Sequence, residues 1–365
     1  MSETITKQKI DLQTNSNNIE IKKPEIKKPL LPELPSVSQI RSKWKKWTFL
    51  GSLGIGLTTS IALRARFNDF ATAYDNTGGN PLDLPEHKSI EFKTSSGAVL
   101  AVSIFEGKGS PIVLSHGWTE NQKLWSCLVK ELQKDKRYVI TYDHQGHGDS
   151  SIGNLGLTVD AISQDLSDLI EGLDLNDVIL VGHSMGGMTA QNLMINKSAK
   201  NRVKSLILVA TAASAVPLAS LAKIQPLSDQ IVSLLRSSLL EEAFLNDSVG
   251  MLLVSGAHGK KPPKAQLLAT RDMFLQTQKE ARSDFVVDMS KLDLVDDLVE
   301  IKVPTIIMVG TKDTLTPLFL AKQIHSKIKD SVLVKLQDRG HMLPFESFMD
   351  IKESIDKLTK LTSKQ

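Results

Sequence analysis

One short segment constrains the fold more than any other. Gly182-His183-Ser184-Met185-Gly186, followed by Gly187, lies between the apolar run Asp177–Val181 and a helix-prone stretch from Met185 to about Asn196. A bare G-x-S-x-G occurs by chance in many chains. Between a strand and a helix it acquires a physical meaning. A sharp turn there lifts the serine hydroxyl clear of a sheet, and small residues two before and two after let neighbouring backbones approach. The following helix aims free amides at the same place, which favours developing negative charge. The competing reading is a glycine-rich turn of a nucleotide fold, and no G-x-x-x-x-G-K-[ST] accompanies it.

The surrounding chain predicts the sheet that such a turn needs. Ser89–Lys93 and Val99–Phe105 flank Ser95-Ser96-Gly97 and predict a hairpin. Pro111–Ser115, Tyr138–Tyr142, Asp177–Val181, Val203–Val209, Thr305–Val309 and Val332–Leu336 are short, strand-prone runs. Continuous apolar runs such as Pro111–Ser115 suit strands buried on both faces. Helical stretches at Asn121–Leu132, Thr158–Leu173, Pro317–Ile328 and Phe345–Leu361 alternate with them. Such alternation implies a parallel sheet with right-handed crossovers. It breaks from about Ala212 to Glu300, where helical periodicity and a Gly/Pro-rich patch at Gly256–Pro263 predict an insertion between two strands.

A serine hydroxyl attacks poorly until a base takes its proton. The chain has eight histidines: His87, His116, His144, His147, His183, His258, His325 and His341. Sheets with this elbow order their groups serine, acid, histidine, so only the last three qualify. His325 falls inside an expected helix, and His258 inside the insertion, ahead of any strand-end acid. His341 sits in a loop just after Val332–Leu336, and loops at strand carboxyl ends are where open α/β sheets build sites. Asp313 follows Thr305–Val309 in the same way and is the expected partner that fixes the imidazole tautomer. A turn or helix-capping role is its plainer alternative. The catalytic set is therefore expected to be Ser184, Asp313 and His341. Two amides are expected to hold an oxyanion: Met185 N–H, directly after the serine, and Trp118 N–H, in the loop His116-Gly117-Trp118. His116 is expected to orient that loop rather than carry protons.

Asp143-His144-Gln145-Gly146-His147-Gly148-Asp149 crowds metal-ligating residue types together but has no partner cluster. A tight loop after a strand is the preferred account, so no metal and no cofactor are expected. Cys127 is the one cysteine, which excludes an intrachain disulfide; a buried, inert thiol is expected there.

Four features resemble the α/β-hydrolases in order and spacing: His116-Gly117, the D-x-x-G-H-G-x-S stretch Asp143–Ser150, GHSMGG at Gly182–Gly187, and Gly310–Asp313 with Gly340-His341. The resemblance covers about residues 88–365. It implies an α/β fold with a mostly parallel, eight-stranded sheet flanked by helices, a core at 88–211 and 300–365, and a helical cap at 212–299. GHSMGG is similar to monoacylglycerol lipases and related esterases, which implies a serine esterase or lipase acting on small-molecule esters or lipids. It is similar also to cofactor-free haloperoxidases, thioesterases and carbon–carbon hydrolases, and the fold is reused by acyltransferases and non-catalytic receptors. Serine at 184 argues against the branches that use aspartate there. Cap residues Leu234, Leu235, Leu239, Leu240, Met251, Leu252 and Leu253 are expected either to line an apolar pocket or to pack the cap on the core.

The amino terminus departs from that family pattern. Residues 1–46 hold ten of the 44 Lys/Arg and five of the 41 Asp/Glu, so the remainder carries 34 basic against 36 acidic side chains. The body is thus not a nucleic-acid binder on charge grounds. Residues 1–46, with Ile21–Pro29 as a Lys/Pro repeat, are expected to form a disordered basic tail. Trp47–Leu63 is 17 residues without a charge, flanked by Lys43, Lys45, Lys46 and by Arg64, Arg66. As a helix it spans about 25 Å, the short end of a membrane crossing. Segment 47–66 is read as an anchor that leaves the tail in the cytoplasm and the catalytic body outside. A packed helix, or a signal peptide cleaved at Ala71-Thr72-Ala73, are the alternatives, giving a cytoplasmic or a secreted protein.

Overall fold

A computed structural model describes residues 79–216 and 227–362. The expected tail and anchor lie outside the described residues. Among the described residues no helix is long and apolar enough to cross a membrane.

Eight strands form one sheet: β1 (Lys88–Lys93), β2 (Val99–Phe105), β3 (Lys108–Ser115), β4 (Arg137–Tyr142), β5 (Val178–His183), β6 (Val203–Val209), β7 (Thr305–Gly310) and β8 (Val332–Leu336). Their order is β1-β2-β4-β3-β5-β6-β7-β8. β1 pairs with β2 and β2 with β4 antiparallel, as the expected hairpin requires, and every other pairing is parallel. The order reverses around β3, where β4 lies on one side and β5 on the other. Such a switch point opens a crevice at the strand carboxyl ends.

The apolar runs are continuous because both faces are covered. In β5, Val178 and Leu180 enter one core layer while Ile179 and Val181 enter the opposite one. The first layer is closed by α2 (Val159–Gly172), α3 (Met185–Asn196) and α9 (Leu318–Lys327), through residues such as Leu166, Leu193 and Ile324. The second is closed by α1 (Ser126–Lys134) and α11 (Phe348–Thr362). α11 offers Ile351, Ile355 and Leu358, the four- and three-residue spacing of one helix face.

Two expected helices are interrupted. The stretch Asn121–Leu132 opens as a 3₁₀ turn, Gln122–Trp125, before α1 begins. That tighter turn aims the Gln122 amide at Asp143 Oδ1, 2.7 Å away, while Leu124 and Trp125 are buried. The last helix is divided into α10 (Leu343–Glu346) and α11 by Ser347, whose φ of −148° is not helical. Cys127 is buried, as expected.

Between β6 and β7 the chain leaves the sheet and returns to the same place. Ala215 N donates to Leu292 O at 2.9 Å and Leu294 N to Ala213 O at 2.7 Å, pinning the outgoing and incoming segments together. The described part of this excursion forms α4 (Leu227–Arg236), α5 (Ser238–Leu245), α6 (Asp247–Val254), α7 (Lys264–Leu275) and α8 (Lys279–Met289). Phe244, Met251, Val254, Leu267 and Phe274 give these helices a small core of their own.

Candidate active site

Ser184 stands at the carboxyl end of β5 with φ 51° and ψ −118°, in a region that costs a non-glycine residue about 1–3 kcal/mol. Its own backbone is held on both sides: Ser184 N donates to Val209 O at 2.9 Å, and Thr211 Oγ1 donates to Ser184 O at 2.6 Å. The elbow closes this tightly only because Gly186 lacks a side chain; a Cβ there would overlap the Ser115 and His116 carbonyl oxygens.

Asp313, three residues past β7, and His341, in the loop after β8, meet as the sequence predicts. His341 Nδ1 donates to Asp313 Oδ2 at 2.9 Å. Thr316 Oγ1 donates to the same oxygen at 2.7 Å, and Oδ1 accepts from Leu315 N at 2.9 Å and Thr316 N at 2.8 Å. Burial alone would raise the Asp313 carboxyl, but His341 and these hydrogen bonds hold it below the usual carboxylate range. Burial pushes the His341 imidazole down; the Asp313 charge and hydrogen bond outweigh it, with Glu120 and Glu346 adding, so the ring ends above its ordinary value. Both side chains are buried.

Ser184 and His341 line one cavity of about 330 Å³. Ser184 Oγ makes no hydrogen bond among the described residues; contacts of a catalytic serine with its base commonly tighten only in the substrate complex. Nor does the backbone amide of Trp118 or of Met185 meet an acceptor among the described residues. The loop carrying Trp118 lies directly over the serine, since a Cβ on Gly117 would stand 2.9 Å from Ser184 Cβ. The Trp118 ring is tied to the excursion by its Nε1, which donates to Arg282 O at 3.1 Å.

The loop is braced from below by histidines. His116 Nδ1 donates to Gly117 O at 2.8 Å, and its Nε2 accepts from His144 N at 2.9 Å. This partner set requires a neutral ring, and burial, then the neighbouring His144 and His147, drive its pKa well down. His147 Nε2 accepts from Thr119 N at 3.2 Å. Burial lowers His144 to about 3 and His147 to about 4. Asp143 accepts from Gln122 N, Asp149 N and Gln122 Nε2, and burial raises it to about 6. Most polar atoms of the Asp143–Asp149 cluster therefore serve loop architecture, while His144 Nδ1 is buried without a hydrogen-bond partner among the described residues. Among the described residues no group of three or more His, Cys, Asp or Glu is placed to hold a metal ion.

Two residues at the site were not assigned from sequence. Glu120 Oε2 accepts from Gly117 N at 2.5 Å and lies 2.9 Å from His183 Nδ1, while His183 Nε2 lies 2.9 Å from the His341 carbonyl. His183 lies within the elbow motif itself, but nothing in that motif indicates a partner for its ring. His258, set aside as a base, is buried near His341 with Nε2 on Thr270 Oγ1 at 3.0 Å.

The rest of the cavity is mainly apolar, with Thr119, Glu120, Thr270 and Thr316 as its other polar lining residues. From the excursion, Leu234, Leu235, Leu240 and Leu253 line it, joined by Phe244, Val254, Phe274, Val286 and Met289. Of the other expected residues, Leu239 is exposed, Met251 belongs to the excursion's own core, and Leu252 is not among the lining residues.

Comparison with known proteins agrees with this fold. Residues 110–348 match the family model described as the alpha/beta hydrolase fold. The AB hydrolase superfamily protein YisY of Bacillus subtilis is 31% identical over 262 residues, covering 69% of this chain and 91% of that protein. Non-heme chloroperoxidase CPO-A1 of Kitasatospora aureofaciens is 28% identical over 214 residues, covering 58% of this chain and 77% of its own. Among solved structures, an esterase from Exiguobacterium antarcticum superposes with a TM-score of 0.64 at 22% identity, covering 75% of this chain and all of that one.

Proposed function

The chain belongs to the α/β-hydrolase fold family, and from that premise we propose that it cleaves carboxylic esters with apolar acyl groups through an acyl-enzyme on Ser184. One observation carries the reading. The Asp313–His341 pair opens onto the same apolar cavity as a strained serine flanked by two free amides.

The steps follow from the groups present. Asp313 fixes the Nδ1–H tautomer, so His341 Nε2 is the nitrogen left to accept a proton. It takes the Ser184 proton as Oγ attacks the carbonyl carbon. The Trp118 and Met185 amides stabilise the oxyanion, and His341 returns the proton to the leaving alkoxide. Water, deprotonated by the same imidazole, then attacks the acyl-enzyme and frees the acid and Ser184. The leucine-rich lining accepts an acyl chain rather than a polar group.

A fluorophosphonate probe tests the nucleophile: native protein is labelled and Ser184→Ala is not. Equal labelling of both, or none of the native chain, removes Ser184 from the reading. A panel of p-nitrophenyl esters of graded length then tests the substrate class, and flat inactivity across it rules out simple ester hydrolysis. The chloroperoxidase relative motivates a second reading, tested by halide- and peroxide-dependent halogenation. Segment 47–66 is proposed as a membrane anchor, with the catalytic body outside the cytoplasm, on the strength of its flanking charges.

A further inference from the structure

The loop that carries His341 is tied to the excursion between β6 and β7 along a seam of backbone. His341 N donates to Ala257 O at 2.7 Å and Met342 N to the same oxygen at 3.2 Å, while Lys260 N reaches Asp338 O at 3.3 Å. The two strands of this seam touch because glycine faces glycine. A Cβ on Gly340 would stand 2.4 Å from Gly259 N, and one on Gly259 would stand 2.4 Å from Asp338 O. One side chain bridges them. Glu346 Oε2 accepts from Gly259 N at 3.0 Å and from Gly340 N at 2.9 Å. Its other oxygen, Oε1, is buried with no hydrogen-bond partner among the described residues. A buried oxygen left unpaired costs stability, so packing alone does not account for a carboxyl here. We propose that Glu346 is a positioning residue, whose Oε2 locks the excursion to Gly340 and so holds His341 in place for Ser184.

The lock acts where other contacts do not. Asp313 fixes the ring of His341 through Nδ1, and His183 meets the His341 carbonyl. The amide side of the loop, at Gly340 N and His341 N, is held by Glu346 and Ala257. The lock also joins the proposed base to the cavity wall. Leu253 and Val254 at the end of α6 line the cavity, and the 3₁₀ turn Ser255–Ala257 leads from them into the clamped segment. A substrate chain seated against α6 therefore bears on the backbone partner of His341. What this requires of residue 346 is an acceptor oxygen at a set reach, and glutamine offers one as glutamate does. Aspartate keeps the carboxyl but falls short by one methylene, so it cannot meet both amides.

Reach and charge can thus be separated in the full-length protein. What is positioned rests on the serine-hydrolase reading; the lock itself does not. Glu346→Gln should label with a fluorophosphonate within about twofold of the wild-type rate, because the acceptor oxygen remains. Glu346→Asp and Glu346→Ala should label about 10- to 100-fold more slowly, the effect of a small misplacement of a reacting group. With p-nitrophenyl acetate that loss should fall on kcat and leave KM nearly unmoved. Backbone deuterium uptake should rise in both 257–260 and 338–342 for the Asp and Ala variants and stay at the wild-type level for Gln. Should the Ala variant fail to fold, the Asp and Gln variants decide between them. A fast Asp variant beside a slow Gln variant would mean that charge, not reach, matters, and would overturn the proposal. So would a lowered melting temperature with unchanged labelling, which marks a merely structural contact. Absence of labelling in wild type would sink the hydrolase reading instead. Deuterium uptake then decides the lock: a rise in both segments of Glu346→Asp supports it, and a rise in one or neither overturns it.

Discussion

At the scale of single residues, the Asp313–His341 bond makes two quantitative commitments. His341 must be neutral to accept the serine proton, and Asp313 holds its pKa above the ordinary 6.5. Activity toward a p-nitrophenyl ester should therefore rise with pH through an acid limb above 6.5. A limb well below that value would mean that Asp313 is not ionised beside the ring. Asp313→Asn keeps the shape but loses the charge and the tautomer. It should lower kcat by about 10³- to 10⁴-fold, comparable in kind to removing the acid of other serine triads. Much of this was legible beforehand, because each group occupies a recognisable local place: a serine on a strand–helix turn, and an acid and a histidine just beyond later strands. Glu120 and His183 were not legible. Their contact joins residues 63 apart, and nothing in either neighbourhood announces that a carboxylate will tuck beneath the Gly117 amide.

At the scale of elements, strands were easier to place than helix breaks. β3 through β7 are nearly continuous apolar runs because alternate side chains feed two buried layers, a pattern readable without coordinates. The 3₁₀ start ahead of α1 and the break at Ser347 depend on distant partners. One is Asp143 waiting for the Gln122 amide. The others are Gly340 and Gly259, whose amides donate to Oε2 of Glu346, the residue before the break, at 2.9 and 3.0 Å. The excursion's helices are short and packed on several sides, so periodicity alone did not say which leucines face the cavity. Leu240 on α5 does. Leu240→Trp should narrow the cavity and lower kcat/KM for octanoate over acetate esters roughly tenfold, the discrimination typical of one or two methylenes in an apolar pocket. An unchanged ratio would place the acyl chain elsewhere.

At the scale of the whole molecule, the acid response is set by histidines buried without charge. His116 lies well below its ordinary pKa, His147 at about 4, and His144 and His258 at about 3, in each case mainly because burial disfavours the imidazolium. In the unfolded chain the same rings take up protons near pH 6.5. As pH falls through that value the unfolded state binds more protons than the fold, and stability drops by up to about 1.4 kcal/mol per pH unit for each ring. The loss continues until the folded-state values are reached. Asp143, raised to about 6, acts oppositely: it is protonated in the fold while its unfolded counterpart stays ionised down to about 3.9. Asp165, Asp288 and Glu346 are raised as well and act in the same sense. His341, raised in the fold, gains rather than loses between pH 7 and 6.5. These offsets act mostly below pH 6, whereas the four neutral rings begin to cost stability from about 6.5. The unfolding midpoint should therefore fall by about 3 °C or more between pH 7 and 5.5, since a chain of 365 residues shifts somewhat less than the roughly 2–4 °C per kcal/mol of a 150–250-residue protein. A midpoint that is flat or rises over that interval, measured by calorimetry on the full chain, would show that these histidines are not held neutral. Replacing His147 by Asn should reduce the slope by one ring's share, because a side chain that cannot take up a proton near pH 6.5 adds nothing to the unfolded state's uptake.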